Sequence, residues 1–183
     1  MKFTKLIGAA LILTSVSAVA GKEDDVLATM AIQRANFSVE QAIEKVSSDY
    51  AQYIIEFEID DHHNQATYEI EAINFETQEK HKLELSLEDG AVLKEEKKNL
   101  KYLMVNRLDD DELQALEELK ASNFELGKTI AQLKQKYNAE VFEFELENEK
   151  GITFYKFKLM NEQGPKRVIV DIKTGNVLPV MKY

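Results

Sequence analysis

The chain has no cysteine and no tryptophan, only two prolines, seven glycines and three histidines in 183 residues. Without cysteine there is no disulfide framework, no lipid attachment at a thiol and no cysteine nucleophile. So few prolines and glycines exclude a low-complexity or collagen-like chain. No glycine-rich phosphate loop and no serine or threonine in a nucleophile elbow is found. Positive charge is also short, with 23 basic residues against 33 acidic ones. That balance repels nucleic acid and anionic membranes, and it favours solubility and a basic partner.

What is present suits a packed globule: hydrophobic residues make up 44% of the chain and charged residues 31%. Residues 1–20 read as a signal peptide. Lys2 and Lys5 form a basic start, Leu6 to Val16 an apolar centre, and Ala18-Val19-Ala20 a small-x-small cleavage signal, so cleavage is expected after Ala20. The apolar run is shorter than the roughly 20 residues of a spanning helix, and no stable membrane insertion is expected after cleavage. Cleavage removes Lys2 and Lys5 and no acid, leaving 21 basic residues against 33 acids, formally −12. The expected location is the periplasm or outside the cell.

The mature part contains an internal repeat at an offset of 87, seen in Phe37 and Phe124, Tyr50 and Tyr137, Tyr68 and Tyr155, Asn74 and Asn161. Glu56-Phe57-Glu58 matches Glu143-Phe144-Glu145 at the same offset. Past the second predicted strand the offset falls to 85, pairing Leu83 with Val168, Gly90 with Gly175 and Leu93 with Leu178. Two residues are therefore lost in one turn of the second copy, where a structural repeat tolerates loss.

Each copy opens on a helix. Val39, Ala42, Ile43, Val46 and Tyr50 lie on one helical face, and Ser38 with Gln41 has capping-box spacing. Leu126, Ile130, Leu133 and Tyr137 repeat the stripe behind a poorer cap, with Glu125 in place of serine and Gly127 in the first turn. Period-two strands follow. Tyr53, Ile55, Phe57 and Ile59 are expected on one face and Ile54, Glu56, Glu58 and Asp60 on the other; Phe142, Phe144 and Leu146 alternate likewise with Glu143, Glu145 and Glu147. Hairpin turns are expected at Asp60–Gln65 and Asn148–Gly151, second strands at Ala66–Phe75 and Ile152–Met160, and third strands at His81–Leu87 and Arg167–Ile172. Val92-Leu93 and Val177-Leu178 read as short closing strands after glycine turns.

The predicted fold class is α+β: two tandem repeats, each an N-terminal helix packed on a three- to four-stranded antiparallel sheet, joined by a helical linker. The predicted organisation is a signal peptide at 1–20, an N-terminal segment at 21–36, repeats at 37–95 and 123–183, and a linker at 96–122. Lys94–Lys101 reads as a solvated, mixed-charge stretch. In the linker, Asp109 and Glu112 have capping-box spacing, Leu108 and Leu113 stand at staple positions, and Leu113, Leu116 and Leu119 form a stripe. Lys22–Asn36 could form another short helix.

No constellation reads as an active site. Asp60-Asp61-His62-His63-Asn64 packs metal-ligand types into one turn, but adjacent side chains point apart and the aligned turn has no histidine. An exposed polar hairpin is the expectation there. The strand carboxylates fit a solvated sheet face, and Tyr68 and Tyr155 read as packing residues with satisfied hydroxyls. No catalytic, cofactor-binding or metal-ligating residue is nominated, no cofactor is expected, and the chain is not read as an enzyme.

Both copies resemble the PepSY family. The first has FSVEQAIEKV; the second has ITFYKFKL and VDIKTGNVLPV, in which Asp171, Thr174, Gly175, Val177 and Leu178 match the family's closing pattern. The first copy departs at SLEDGAVLK, with Ser86 at the aspartate position, and the second at Thr129-Ile130 in place of Ala-Ile. The resemblance covers about Asn36 to Tyr183. It implies a non-enzymatic exported module with a protein partner, such as a protease that it inhibits or modulates. Exposed strand edges could pair with a partner strand. An envelope assembly factor and a small-ligand or metal binder are the alternative functions.

Overall fold

A computed structural model describes residues 17–102, 105–106 and 108–180. The first helix, α1 (Ser17–Arg34), runs further toward the N-terminus than the short helix expected over Lys22–Asn36. The expected cleavage point after Ala20 falls within it, and the remainder of the predicted signal peptide, residues 1–16, lies outside the described residues.

The next helix, α2 (Val39–Asp49), starts where its cap chemistry places it. Ser38 Oγ accepts from the Gln41 N–H (3.2 Å), and Gln41 Oε1 accepts from the Ser38 N–H (2.8 Å). Strands β1 (Tyr53–His62), β2 (Gln65–Asn74), β3 (Glu79–Ser86) and β4 (Val92–Asn99) follow as a meander. A small ribbon, β5 (Lys101–Tyr102) with β6 (Val105–Asn106), leads to α3 (Asp110–Ala121). Helix α3 carries the expected Asp109–Glu112 capping box. Then come α4 (Leu126–Tyr137) and a second meander of β7 (Glu140–Glu149), β8 (Ile152–Asn161), β9 (Gly164–Asp171) and β10 (Val177–Pro179). No side-chain bond caps α4.

The two meanders form one antiparallel sheet of eight strands, in the order β10-β9-β8-β7-β1-β2-β3-β4. Its seam is the β1–β7 pairing, with Glu56 opposite Glu145, Phe57 opposite Phe144 and Glu58 opposite Glu143. The repeated Glu-Phe-Glu segment thus pairs with its own copy, as a two-fold contact requires. Helices α2 and α4 pack side by side over one face. Between them and the sheet lie Ile43, Val46, Ile130 and Leu133 with fully buried Phe57, Tyr68, Phe144, Tyr155 and Phe157. Burial of each such side chain contributes about 1.5–3 kcal/mol. Phe57 and Phe144 stack across the seam at 5.3 Å. Lys134 Nζ clips the halves together, reaching Glu40 on α2 (3.0 Å) and Glu140 on β7 (2.8 Å).

Three sequence expectations need correction. The strict alternation along the first strand of each copy fails, because a β-bulge interrupts both strands at matching places, between Ile54 and Glu56 and between Val141 and Glu143. The extra residue resets the alternation. Ile54 and Phe57 therefore share the main core, whereas Ile55 joins a smaller cluster with Ile73, Leu100 and Leu116. Val141 and Phe144 take the core positions in the second copy, and Phe142 lies under the Lys158 ammonium at 4.4 Å. Secondly, the mixed-charge stretch is not merely solvated chain: β4 continues to Asn99, and its charges form ladders with β3 that suit an edge strand. Thirdly, the repeats do not carry separate sheets, since β1 and β7 merge them.

The turns obey local chemistry. His63 (φ 51°) with Asn64 (φ 63°), and Lys150 (φ 55°) with Gly151 (φ 73°), close the first hairpins with both central residues left-handed. The β2–β3 connection spans residues 75–78, and β8–β9 only 162–163, which locates the two-residue deletion. Asn74 and Asn161 hold equivalent posts, their Nδ2 groups donating at 3.1 Å to the Tyr50 and Tyr137 carbonyls at the ends of α2 and α4.

Candidate interaction surface

The face of the sheet turned away from α2 and α4 carries its chemistry in two rows. Residues directly opposite in an antiparallel sheet share a face. One row runs Lys156, Glu145, Glu56, Glu71, Lys82, Glu96 across six strands. The next runs Lys158, Glu143, Glu58, Glu69, Glu84, Lys94. Carboxylates fill the centre of both rows and lysines stand toward their ends. Helix α1 of the first half contacts β7 of the second, and α3 contacts β7, β8 and β1, so it bridges the seam. Leu108, Ala115 and Leu116 of the linker segment and α3 lie near Ile55, Glu56 and Glu145, at the edge of this acidic field.

Several carboxylates are neutralised locally. Lys80 pairs with Glu71 and Lys82 with Glu69. Lys94 Nζ donates to Glu84 (2.9 Å), and His62 Nδ1 lies 2.6 Å from the other oxygen of the same carboxylate. The Lys94 contact, opposed by burial and aided by His62, holds the Glu84 carboxyl below its ordinary value. The seam residues behave differently. Burial, then the charges of Glu69, Glu56, Asp60 and Glu143, push Glu58 up to about 7. Burial followed by Glu71 and Glu145 raises Glu56, and burial followed by Glu147 raises Glu145. A carboxyl that titrates near neutrality and like charges set opposite one another favour cationic groups from outside.

His62 is turned toward Glu84, and His63 stands edge-on to it at 4.2 Å. Among the described residues, the carboxylates close enough to share a cation, within 4.8 Å of one another, are those of Glu58, Asp60 and Glu69, and Glu69 already pairs with Lys82. His81 is buried in the sheet beside Tyr50 and Glu95. Sequence reasoning found Glu143 and Glu145 as a wet face but missed their meeting with Glu58 and Glu56. The signal was available in the Glu-Phe-Glu repeat, since a segment repeated in two antiparallel strands can pair with itself.

Tyr68 and Tyr155 are both buried with bonded hydroxyls, but their partners differ. Tyr68 donates to the Phe37 carbonyl of its own half (2.7 Å). Tyr155 donates across the seam to the Ile54 carbonyl (2.5 Å), beside the bulge.

Residues 38–96 and 128–180, more than half of the chain, match the PepSY family, described as the peptidase propeptide and YPEB domain. The chain belongs to the PepSY family. Its two PepSY regions lie in tandem and share the one sheet. No curated protein matches this PepSY chain. Among solved structures, a candidate lipoprotein of Clostridium difficile 630 is 22% identical, with 85% of this chain and 99% of that one covered and a TM-score of 0.44. The Bacillus megaterium YpeB C-terminal domain is 18% identical, with 83% and 69% covered and a TM-score of 0.29. No described helix is long and apolar enough to cross a membrane.

Proposed function

We propose that this PepSY protein is an exported, non-catalytic binding module that engages another protein and restrains a peptidase in the cell envelope or outside the cell. The observation that carries this reading is the double match to the peptidase propeptide and YPEB domain family. Within it, residues 1–20 act as a leader removed after Ala20, and residues 37–95 and 123–183 act as two units of helix plus meander. The open face supports a basic partner, because its central carboxylates Glu56, Glu58 and Glu145 are raised first by burial and then by neighbouring carboxylates.

The test is incubation of the purified protein with the proteases secreted by its host, read by activity assay and size-exclusion chromatography. Inhibition together with a co-eluting complex is the expected result. If no host protease is inhibited and none forms a complex, the peptidase reading is lost. Stable capture of an envelope protein that is not a protease would favour an assembly role instead.

A further inference from the structure

The two halves differ at one equivalent place. In the first, the segment between α1 and α2 folds onto the β3–β4 turn. The N–H groups of Asn36 and Phe37 both donate to the Leu87 carbonyl, at 3.1 and 3.0 Å. The Phe37 ring lies directly on Gly90: a Cβ built there would meet the ring at 2.5 Å. Phe37 therefore plugs the space between the start of α2 and the turn, and Gly90 is buried beneath it.

The second half has the same parts. The segment between α3 and α4 is also four residues long, and its turn is built alike, with the Gly175 N–H donating to the Asp171 carbonyl (2.8 Å) as Gly90 does to Ser86 (3.0 Å). Yet Phe124 does not seat on Gly175. Its N–H is taken by Ser122 Oγ (3.2 Å), and its ring stacks on Tyr155 at 5.3 Å. A Cβ built on Gly175 would meet nothing within 4 Å. What remains is an open groove of about 820 Å³ between α4 and the β9–β10 turn, with Phe124, Leu133, Ile172 and Val177 among its walls. That volume lies within the range of small ligand sites.

The rim has changed charge as well. Lys128, Lys136 and Lys173 line the groove, where the first half has Gln41, Asp49 and Glu88 at the matching positions. Glu125 offsets one of these lysines, at 3.2 Å from Lys128. A basic-rimmed groove in a chain of net charge −10 selects against most of this protein's own surface.

We infer that this groove binds, from a partner protein, an extended acidic segment that inserts an aromatic side chain over Gly175, reproducing in trans what Asn36 and Phe37 do in cis. The internal copy supplies the pattern of the ligand: a ring on the glycine, with adjoining backbone N–H groups directed at the carbonyl that in this half belongs to Ile172. The lysine rim supplies the preference for acid. The inference rests on the reading of the protein as a binding module, but it does not depend on whether the partner is a peptidase.

The probe is the blocked peptide Asp-Glu-Asn-Phe-Asp-Glu, titrated into the isotope-labelled full-length protein and followed by amide chemical shifts. The expected result is saturable shifts confined to residues 122–136 and 171–177. Replacing the peptide's Phe by Ala, or making the Lys136→Glu/Lys173→Glu protein, should weaken binding by about tenfold or more. No shifts up to about 5 mM peptide, shifts centred on the first half or on the acidic sheet face, or equal binding of the Ala peptide would each overturn the inference. Concentration-dependent shifts at the groove without peptide would give it to a second copy of the chain and also overturn it. Because the readout is binding, an inactive result in the protease assay leaves this test intact, and the reverse holds too.

Discussion

The first half of this molecule is closed on itself, and the second leans on the first. Both halves have the same strand lengths to the first hairpin, the same bulge, the same capping asparagine and the same glycine turn. They differ in where two aromatic residues go. Phe37 covers its glycine and offers its carbonyl to Tyr68, so one segment, one turn and one strand lock together. Phe124 stacks on Tyr155 instead, and Tyr155 spends its hydroxyl on Ile54 of the other half. Equal sequence positions therefore do not imply equal contacts: once two copies share a seam, one copy can take a partner from its neighbour and leave its own site open.

The sharpest way to break this comparison is to substitute the paired glycines. Gly90 (φ 70°) and Gly175 (φ 68°) carry the same backbone strain for any L-residue, about 1–2 kcal/mol. Only Gly90 also lies against a ring. Gly90→Ala should cost about 2–4 kcal/mol, adding displacement of Phe37 to that strain, whereas Gly175→Ala should cost about 1–2 kcal/mol. Chemical denaturation of the two variants measures the difference, and equal losses would show that Phe37 does not act as a plug.

The tyrosines give a smaller contrast. Tyr155→Phe leaves a carbonyl at the seam without its donor in a fully buried setting and should cost about 1–3 kcal/mol. Tyr68→Phe removes the donor to a carbonyl in a part-buried setting and should cost about 0.5–1.5 kcal/mol. Urea titrations that reverse this order would mean that the seam is not where the second half gains its support.

The smallest expected effect concerns the seam's charges. In the folded protein Glu58 holds its proton up to about pH 7, against an ordinary value of 4.5. The stability tied to this proton is complete below about pH 4.5 and is lost as pH rises through 7. Glu56 and Glu145 are shifted in the same direction. Carboxyls with lowered values, such as Glu84, lose their contribution only in the acid range and so do not offset the trend. The melting temperature should therefore fall between pH 5 and pH 8. Glu58→Gln should recover about 2–4 °C at pH 8 and change little at pH 5. A difference between variant and parent that does not depend on pH would place the perturbation elsewhere.

Much of the fold could be read in one dimension. Ser38 with Gln41 and Asp109 with Glu112 mark their helix starts because a cap is decided within four residues. The apolar stripes of α2 and α4 and the glycine turns are equally local. The bulges were not legible. Residues 53–59 alternate well enough on paper, and only pairing with β2 shows that Ile55 is the extra residue. The acidic field escaped for the same reason, since it exists only where Glu56 and Glu58 meet Glu145 and Glu143.

Two copies, each a helix followed by antiparallel strands, with a helix in the segment between them, are legible from local pattern. These features rest on periodicity, caps and turns, which act over a few residues. The tertiary structure alone decided that the copies share one sheet, that Tyr155 serves the opposite half, and that the groove beside Gly175 is left unfilled. Such outcomes depend on contacts between residues far apart in the chain, such as Tyr155 with Ile54, where identical local preferences admit more than one partner and global packing selects among them.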